Sequence, residues 1–288
     1  MSLTLDRMAL EDVGAEPQRL AEAILAQMQY RSGPVPIEAI AQALGIMEIR
    51  EEPLTNLEGT LITTPERESG SILVNSNASP RRRRFTVGHE LGHFLNPYHV
   101  GAEDGGLSCS LGDMRFLSSA SADRHRRQES EANRFAIEIL APRTRCQSFL
   151  KGDPDICEIL SMVREFEISR EAAARRYVEL NGNAVAVVFT KDRRLTYWVP
   201  SDSCPALSVR KGDLLPLPSE PVNTRAPTDM GYVEGSFWLH RPKGELMLQT
   251  LFQTQGHAIT LLRLIPDDEE EPEIEDAYQR FAKYNERP

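Results

Sequence analysis

Apolar residues recur at helical spacing through most of the first 180 positions of the chain. The strongest helix signal begins at Ser79-Pro80, because serine is a good N-cap and proline is tolerated at the first helical position. We predict that this helix ends at Asn96-Pro97, since the residue before a proline disfavours helical geometry. Gly- and Ser-rich sequence predicts a loop over 98–122. Further patterns predict helices over 16–30, 36–44, 126–140 and 154–180, and strands over 46–50, 59–63 and 71–74.

The sequence pattern changes from helical to β-rich near Gly182. Short β-rich segments separated by turn residues follow, at 184–190, 195–199, 236–240, 246–254 and 258–264. We therefore predict an α+β chain with a mostly β C-terminal unit. The expected organisation is an N-terminal tail (1–15), a core (16–150), a helical extension that resembles a helix-turn-helix in length (151–182), the β domain (183–266) and an acidic tail (267–288).

Charge and composition exclude several classes of function. Eight acidic residues between positions 267 and 276 carry most of the net charge of −10, so the rest of the chain is nearly neutral. It lacks the basic stripe expected of a protein that binds nucleic acid directly. No apolar run approaches the roughly 20 residues that cross a membrane, and no secretion signal is visible. The four cysteines form no paired spacing, and a reducing cytoplasm is expected.

The most informative pattern is HELGH at residues 89–93, within the predicted 79–95 helix. Residues four apart lie on one helix face, so His89 and His93 can direct ring nitrogens at one cation. Glu90 lies about 100° further round, where it can reach a water on that cation without binding it. This arrangement suits hydrolysis by water on Zn²⁺, with Glu90 as the proton acceptor.

A catalytic zinc usually has three protein ligands, and two carboxylates compete to be the third: Glu129 and Glu131. Glu129 shares a helix face with small residues that allow close approach to the first helix. Glu131 shares its face with Arg134, which favours a solvated ion pair. We therefore predict Glu129 as the ligand and Asn133, one turn on, as a hydrogen-bond partner that orients a ligating imidazole.

These motifs resemble the ImmA/IrrE family of metallopeptidases. The resemblance rests on RFTVGHELGH at 84–93, on Glu129-x-x-Ala132-Asn133-x-Phe135-Ala136, on LAP at 140–142, and on PIEAIA and LGI at 36–41 and 44–46. It covers roughly residues 16–180 and implies a zincin-like core of the gluzincin type with a small three-stranded sheet. It also implies ligands at His89, His93 and Glu129, a catalytic Glu90, and cleavage of a cytoplasmic helix-turn-helix repressor of a mobile element or stress response.

Several alternatives remain open from the sequence. A non-proteolytic DNA-binding or scaffold regulator would hold a structural metal with a fourth ligand, for which Cys109 is a candidate. Mn²⁺ and Fe²⁺ tolerate the same donor set as Zn²⁺. Tyr98, His99 and His125 are candidates to stabilise an oxyanion. We interpret the arginines at 81–84 as a solvated face with local ion pairs. We interpret the two helices over 154–180 as a packing or partner-docking module.

Overall fold

The computed structural model describes residues 3–28, 30, 32–64, 66–99, 106–110, 124–220, 226–240 and 244–266. The chain divides into two compact units, Met1–Leu180 and Asn181–Pro288. The predicted α+β class is confirmed, because helices dominate the described part of the first unit and strands that of the second. None of the helices in the described ranges is both long enough and apolar enough to cross a bilayer.

The first unit combines helices with one mixed sheet. Its helices are α1 (Arg7–Glu11), α2 (Pro17–Ala26), α3 (Ile37–Ala43), α4 (Pro80–Leu95), α5 (Arg124–Leu140), α6 (Arg143–Cys146), α7 (Ile156–Phe166) and α8 (Arg170–Leu180). Its strands are β1 (Ile46–Glu52), β2 (Leu57–Thr63), β3 (Gly70–Asn75) and β4 (Gly106–Ser110). The sheet order is β1-β3-β2-β4, with β1 parallel to β3 and the other neighbours antiparallel.

The three predicted strands are present, and β4 extends the sheet within the segment for which sequence predicts a loop. Its residues are small or polar apart from Leu107, so they carry little strand signal. The strand forms because β2 offers its backbone along one side, in a register that pairs Leu61 with Leu107 and Gly59 with Cys109.

Helix α4 has the ends that its sequence predicts. The Ser79 hydroxyl accepts a hydrogen bond from the backbone of Arg82 at 3.4 Å, and Pro80 begins the helix. Asn96 follows its last residue. An unbroken run of buried residues from Thr86 to Phe94 shows that this half of α4 lies in the core of the unit.

Helices α4 and α5 pack closely because the residues between them are small. Gly88 and Gly92 face α5, where Ala132 and Ala136 are fully buried. A Cβ atom at Gly92 would lie 3.0 Å from Phe135 Cδ1 and 3.3 Å from Ala132 Cα. A larger residue at position 92 would therefore push the two helices apart.

The second unit contains an antiparallel five-stranded sheet of order β6-β5-β9-β8-β7. Its elements are β5 (Val185–Lys191), β6 (Arg194–Pro200), β7 (Gly231–Val233), α9 (Gly235–Trp238), β8 (Glu245–Phe252) and β9 (His257–Ile265). The predicted strand over 236–240 is wrong, because most of this segment forms the short helix α9. The helical turn places Trp238 in the core, where its side chain is fully buried.

Candidate metal centre

Helix α4 contributes two histidines to a buried cluster. His89 and His93 lie one turn apart on the face that packs against α5, and both side chains are fully buried. Their Nε2 atoms lie 3.1 Å apart. Two imidazole nitrogens therefore converge on one point inside the unit.

Glu129 of α5 completes a triangle of donor atoms. Its Oε2 lies 3.3 Å from Nε2 of His89, and its Oε1 lies 3.2 Å from Nε2 of His93. Tetrahedral bonds of 2.0–2.1 Å place neighbouring ligand atoms about 3.3 Å apart. The printed contacts are close to that spacing, so the two imidazole nitrogens and the Glu129 carboxylate suit an ion such as Zn²⁺.

The electrostatics of the cluster keep Glu129 ionised. Burial raises the pKa of Glu129, but hydrogen bonds with the two imidazoles outweigh burial and hold that pKa well below its usual value. Burial lowers the pKa of His93 to about 3, despite its hydrogen bond with Glu129. Burial also lowers the pKa of His89, but Glu129 and the charge of Glu90 reverse the shift, and the pKa is raised overall.

Glu90 is fully buried beside this triangle but is not one of its three donors. Its carboxylate faces β2, because a Cβ atom at Gly59 would lie 3.0 Å from Glu90 Oε1. The same atom would lie 2.3 Å from Thr86 Cγ2. Glycine at position 59 thus leaves the room that Glu90 needs between the helix and the sheet.

Asn133 lies one turn beyond Glu129 on α5 and contacts His89 at Nδ1, the ring nitrogen that is not part of the triangle. Its Oδ1 is 3.1 Å from Nδ1 of His89. When Oδ1 accepts this hydrogen bond, the proton is on Nδ1, and the lone pair of His89 Nε2 points at the triangle.

Comparisons with known proteins found a similar family and a similar solved structure. The family model of the IrrE N-terminal-like domain, named Peptidase M78, matches residues 41–177. This segment is a domain of the ImmA/IrrE family. Membership favours a metallopeptidase with a bound metal. A solved structure, a Mycobacterium tuberculosis transcriptional regulator, is similar in fold, with a TM-score of 0.50, 13% identity, and coverage of 86% of this chain and 76% of that chain. No curated protein sequence matches.

Two further residues of the IrrE-like domain join the cluster from positions that sequence reasoning assigns elsewhere. His99 Nδ1 lies 2.8 Å from His93 Nδ1, and His99 Nε2 lies 3.1 Å from Glu131 Oε2. Glu131 forms the ion pair expected of it, with exposed Arg127 at 2.8 Å, and contacts His99 in addition. A histidine shortly after HELGH, just beyond the proline that ends the helix, is the signal that could have indicated this contact.

Of the remaining sequence candidates, the two whose side chains are described, Tyr98 and His125, do not join the cluster of the IrrE-like domain. Tyr98 is 74% exposed, and His125 is exposed in the first turn of α5. The backbone of Cys109 lies in β4, but its side chain is outside the described residues. The arginines at the start of α4 form local ion pairs as predicted: Arg82 with Glu58, Arg83 with Glu51 and Arg84 with Glu167.

Proposed function

We propose that this protein is a zinc-dependent endopeptidase. In this proposal His89, His93 and Glu129 hold the metal, and Glu90 is the general acid and base. The observation that carries the proposal is the convergence of two imidazole nitrogens and the Glu129 carboxylate, with contacts of 3.1–3.3 Å, beside the second buried carboxylate of Glu90. The match to the IrrE N-terminal-like family supports it independently.

A bound zinc ion would supply a Lewis acid and lower the pKa of its water to near 7. The residues of the chain have separate tasks around it. Glu129 is ionised at neutral pH because its pKa is lowered, so it is ready to bind a cation. Glu90 accepts the proton of the attacking water and returns it to the leaving amine. Asn133 holds His89 in the orientation that presents Nε2.

The proposed substrate is a cytoplasmic regulatory protein, namely a helix-turn-helix repressor of a mobile element or of a stress response. The resemblance to the ImmA/IrrE family supports this class. The three cysteines whose side chains are described are free thiols, as a cytoplasmic location requires. We assign the metal centre to the core of residues 16–150. We assign substrate docking to the helical extension (151–182) and the β domain (183–266). The terminal segments 1–15 and 267–288 flank these three regions.

The test is cleavage of a repressor encoded beside this protein, by wild type and by Glu90→Gln. Wild type with zinc should release one discrete fragment, and a chelator should prevent it. Glu90→Gln should slow cleavage by a factor of about 10² or more while zinc remains bound, because only proton transfer is lost. Glu58→Gln is a matched control, since Glu58 is a buried carboxylate of β2 that pairs with Arg82. Mn²⁺ and Fe²⁺ tested in parallel identify the metal that supports cleavage.

Failure to cleave would favour the alternative, a DNA-binding or scaffold regulator with a structural metal. In that case Glu90→Gln would leave the regulatory activity intact, and a fourth protein ligand would occupy the metal. Cys109 is the candidate for that ligand, since its backbone pairs with Gly59. Cys109→Ser would then weaken metal binding, an effect that the peptidase proposal does not expect.

A further inference from the structure

A cavity of about 450 Å³ lies between the start of α4 and helices α5 and α8 of the first unit. Five arginines and three glutamates line it, so its lining carries a net charge of +2, whereas the whole chain carries −10. The apolar part of the lining consists of Phe85, Ile137, Ile168 and alanines. Small-molecule sites occupy cavities of about 300–1,000 Å³. This cavity therefore combines the size of such a site with an excess of positive charge.

We propose that this cavity binds a small organic anion. The phosphate or carboxylate group of the ligand lies against Arg81 and Arg82, and its apolar part covers Phe85, Ile137 and Ile168. The inference goes beyond the proposed peptidase activity and does not depend on it, because none of the three metal donors lines the cavity.

The start of α4 carries a concentration of positive charge. Arginines occupy positions 81–84, and the first turn contains no acidic residue. The N-terminus of a helix is itself the positive end of the macrodipole, so these cations oppose it. An anion bound here is attracted by the guanidinium groups and by the helix dipole together. The charges at the start of α4 therefore favour an anionic ligand.

The partners of these arginines show which of them can bind an anion. Arg83 Nε lies 3.0 Å from Glu51 Oε1, so its charge is balanced within the unit. Arg82 Nε lies 3.1 Å from Glu58 Oε2, but its Nη2 atom is buried and has no hydrogen-bond acceptor among the described residues. Arg81 is exposed and forms no ion pair with any residue that the structure describes. A buried donor without an acceptor is costly, and an oxyanion in the cavity supplies that acceptor to Arg82.

The remaining arginines of the lining are balanced by glutamates of α5 and α8. These ion pairs are Arg134–Glu179, Arg176–Glu179, Arg134–Glu138, Arg176–Glu138 and Arg175–Glu171. The excess positive charge of the cavity is therefore left at Arg81 and Arg82. The ring centroid of Phe85 lies 5.7 Å from Cζ of Arg82, and Ile137 and Ile168 are buried in the lining. An anion held by the arginines can thus place an apolar part on these side chains.

The first test is isothermal titration calorimetry of the full chain at low ionic strength. It uses two matched pairs of probes, inorganic phosphate with AMP and acetate with octanoate. We expect the larger member of one pair to bind at one site per chain. It should bind about tenfold more tightly than the smaller member, because only an organic ligand buries the apolar side chains. The pair that binds shows whether the charged group is a phosphate or a carboxylate.

Three results of these titrations contradict the inference. If neither AMP nor octanoate binds, the cavity is not a site for small organic anions. If both members of a pair bind equally well, the apolar side chains take no part in binding. If only a short polyglutamate peptide binds, titrated in parallel, the cavity is a docking site for an acidic protein segment.

The second test compares arginines of α4 with the probe that binds. Arg82→Gln should weaken binding by a factor of about ten or more, because a charge-assisted contact is lost. Arg81→Gln should weaken it by a factor of about three, since Arg81 is exposed. Arg83→Gln is the matched control, because Arg83 lies in the same turn but pairs with Glu51, and its affinity should equal that of wild type. Equal losses in all three variants would mean unspecific attraction to the helix end.

Glu58 provides a variant with the opposite expected effect. Glu58→Gln should tighten binding severalfold, because it removes a negative charge from the lining and releases Arg82 Nε to the ligand. Weaker binding in this variant would contradict the proposed position of the anion. Arg82→Gln alone leaves buried Glu58 without this partner. The double variant Arg82→Gln/Glu58→Gln therefore repeats the measurement with both charges removed.

Two last variants separate the cavity from the metal centre. Ala172→Phe places a ring in the cavity from α8 and should abolish binding of the probe, with the folded state checked by thermal unfolding. Glu129→Gln should bind the probe as wild type does, because Glu129 does not line the cavity. Failure of the proposed metal centre thus leaves this measurement unaffected, whereas probe binding by Ala172→Phe as tight as that of wild type would refute the assignment to this cavity.

Discussion

Helix α5 buries two carboxylates, and their surroundings differ. Glu129 and Glu138 are each 3% exposed. Glu138 contacts three guanidinium groups: Arg176 at 2.5 Å, Arg134 at 2.8 Å and Arg143 at 3.3 Å. Glu129 contacts two imidazoles, at 3.2 and 3.3 Å.

The difference separates a structural carboxylate from the one that we propose as a metal ligand. A guanidinium is charged at every accessible pH, so the charge of Glu138 is balanced by the chain itself. An imidazole balances a carboxylate only while it is protonated, and burial opposes protonation at His93. The counter-charge of Glu129 therefore depends on pH, since the pKa of His89 is raised while that of His93 is lowered, and a bound cation would take over that role. The Glu138 cluster instead fastens α5 to α8, because Arg176 belongs to α8 and also donates to the Ala141 carbonyl at 3.0 Å.

The largest effect is expected from Arg176→Met. Removal of one partner of a buried ion pair leaves the other charge uncompensated, and we expect a loss of about 3 kcal/mol in the free energy of unfolding. Chemical denaturation measures this loss, and zinc affinity should remain near that of wild type. Arg175→Met is the control, since Arg175 pairs with exposed Glu171 and should cost about 0.5 kcal/mol. Equal losses in the two variants would remove the distinction between the clusters.

The next effect concerns the response to zinc. At a free zinc concentration 100 times the Kd, wild type should gain about 2.7 kcal/mol of stability. Glu129→Gln should lose this gain, because a neutral amide is a poor ligand for zinc. Thermal unfolding with and without zinc measures the difference. Glu138→Gln should unfold more easily and still respond to zinc; a Glu129→Gln protein that responds as wild type does would refute the assignment of the ligand.

The smallest effect distinguishes two glycines of α4. Gly92→Ala should cost about 2 kcal/mol, because the new methyl group presses on Phe135 and the helices must separate. Gly88→Ala should be neutral or stabilising by up to about 1 kcal/mol, since its Cβ would meet Ala136 at an ordinary 3.5 Å and alanine favours helix. Equilibrium unfolding compares the two. If Gly88→Ala lost more stability than Gly92→Ala, the packing near Glu129 would not depend on Gly92.

Local sequence signals were sufficient to predict the two helices that form the proposed metal centre. The bounds of α4 follow from Ser79-Pro80 and Asn96-Pro97, and two helices suffice to bring His89 and His93 to Glu129. Small residues on α5 indicated which carboxylate faces α4. These predictions rest on helix periodicity alone, and tertiary contacts do not change the outcome.

The contact between His99 and His93, by contrast, could not be predicted from sequence periodicity. His99 reaches His93 because the chain turns back after Pro97, and Arg67 from the loop between β2 and β3 holds that turn. The helix-face argument therefore assigned Glu131 to solvent. Strand β4 likewise exists through its pairing with β2 and not through a pattern of its own.

Arg67 also bears on any attempt to graft this centre onto another scaffold. Its planar fork reaches several carbonyl oxygens from one residue, which a lysine ammonium cannot reproduce in the same geometry. A graft limited to the two helices would copy every donor atom of the triangle and still lack the anchor of the turn that carries His99. The loop between β2 and β3 would have to be transplanted with them.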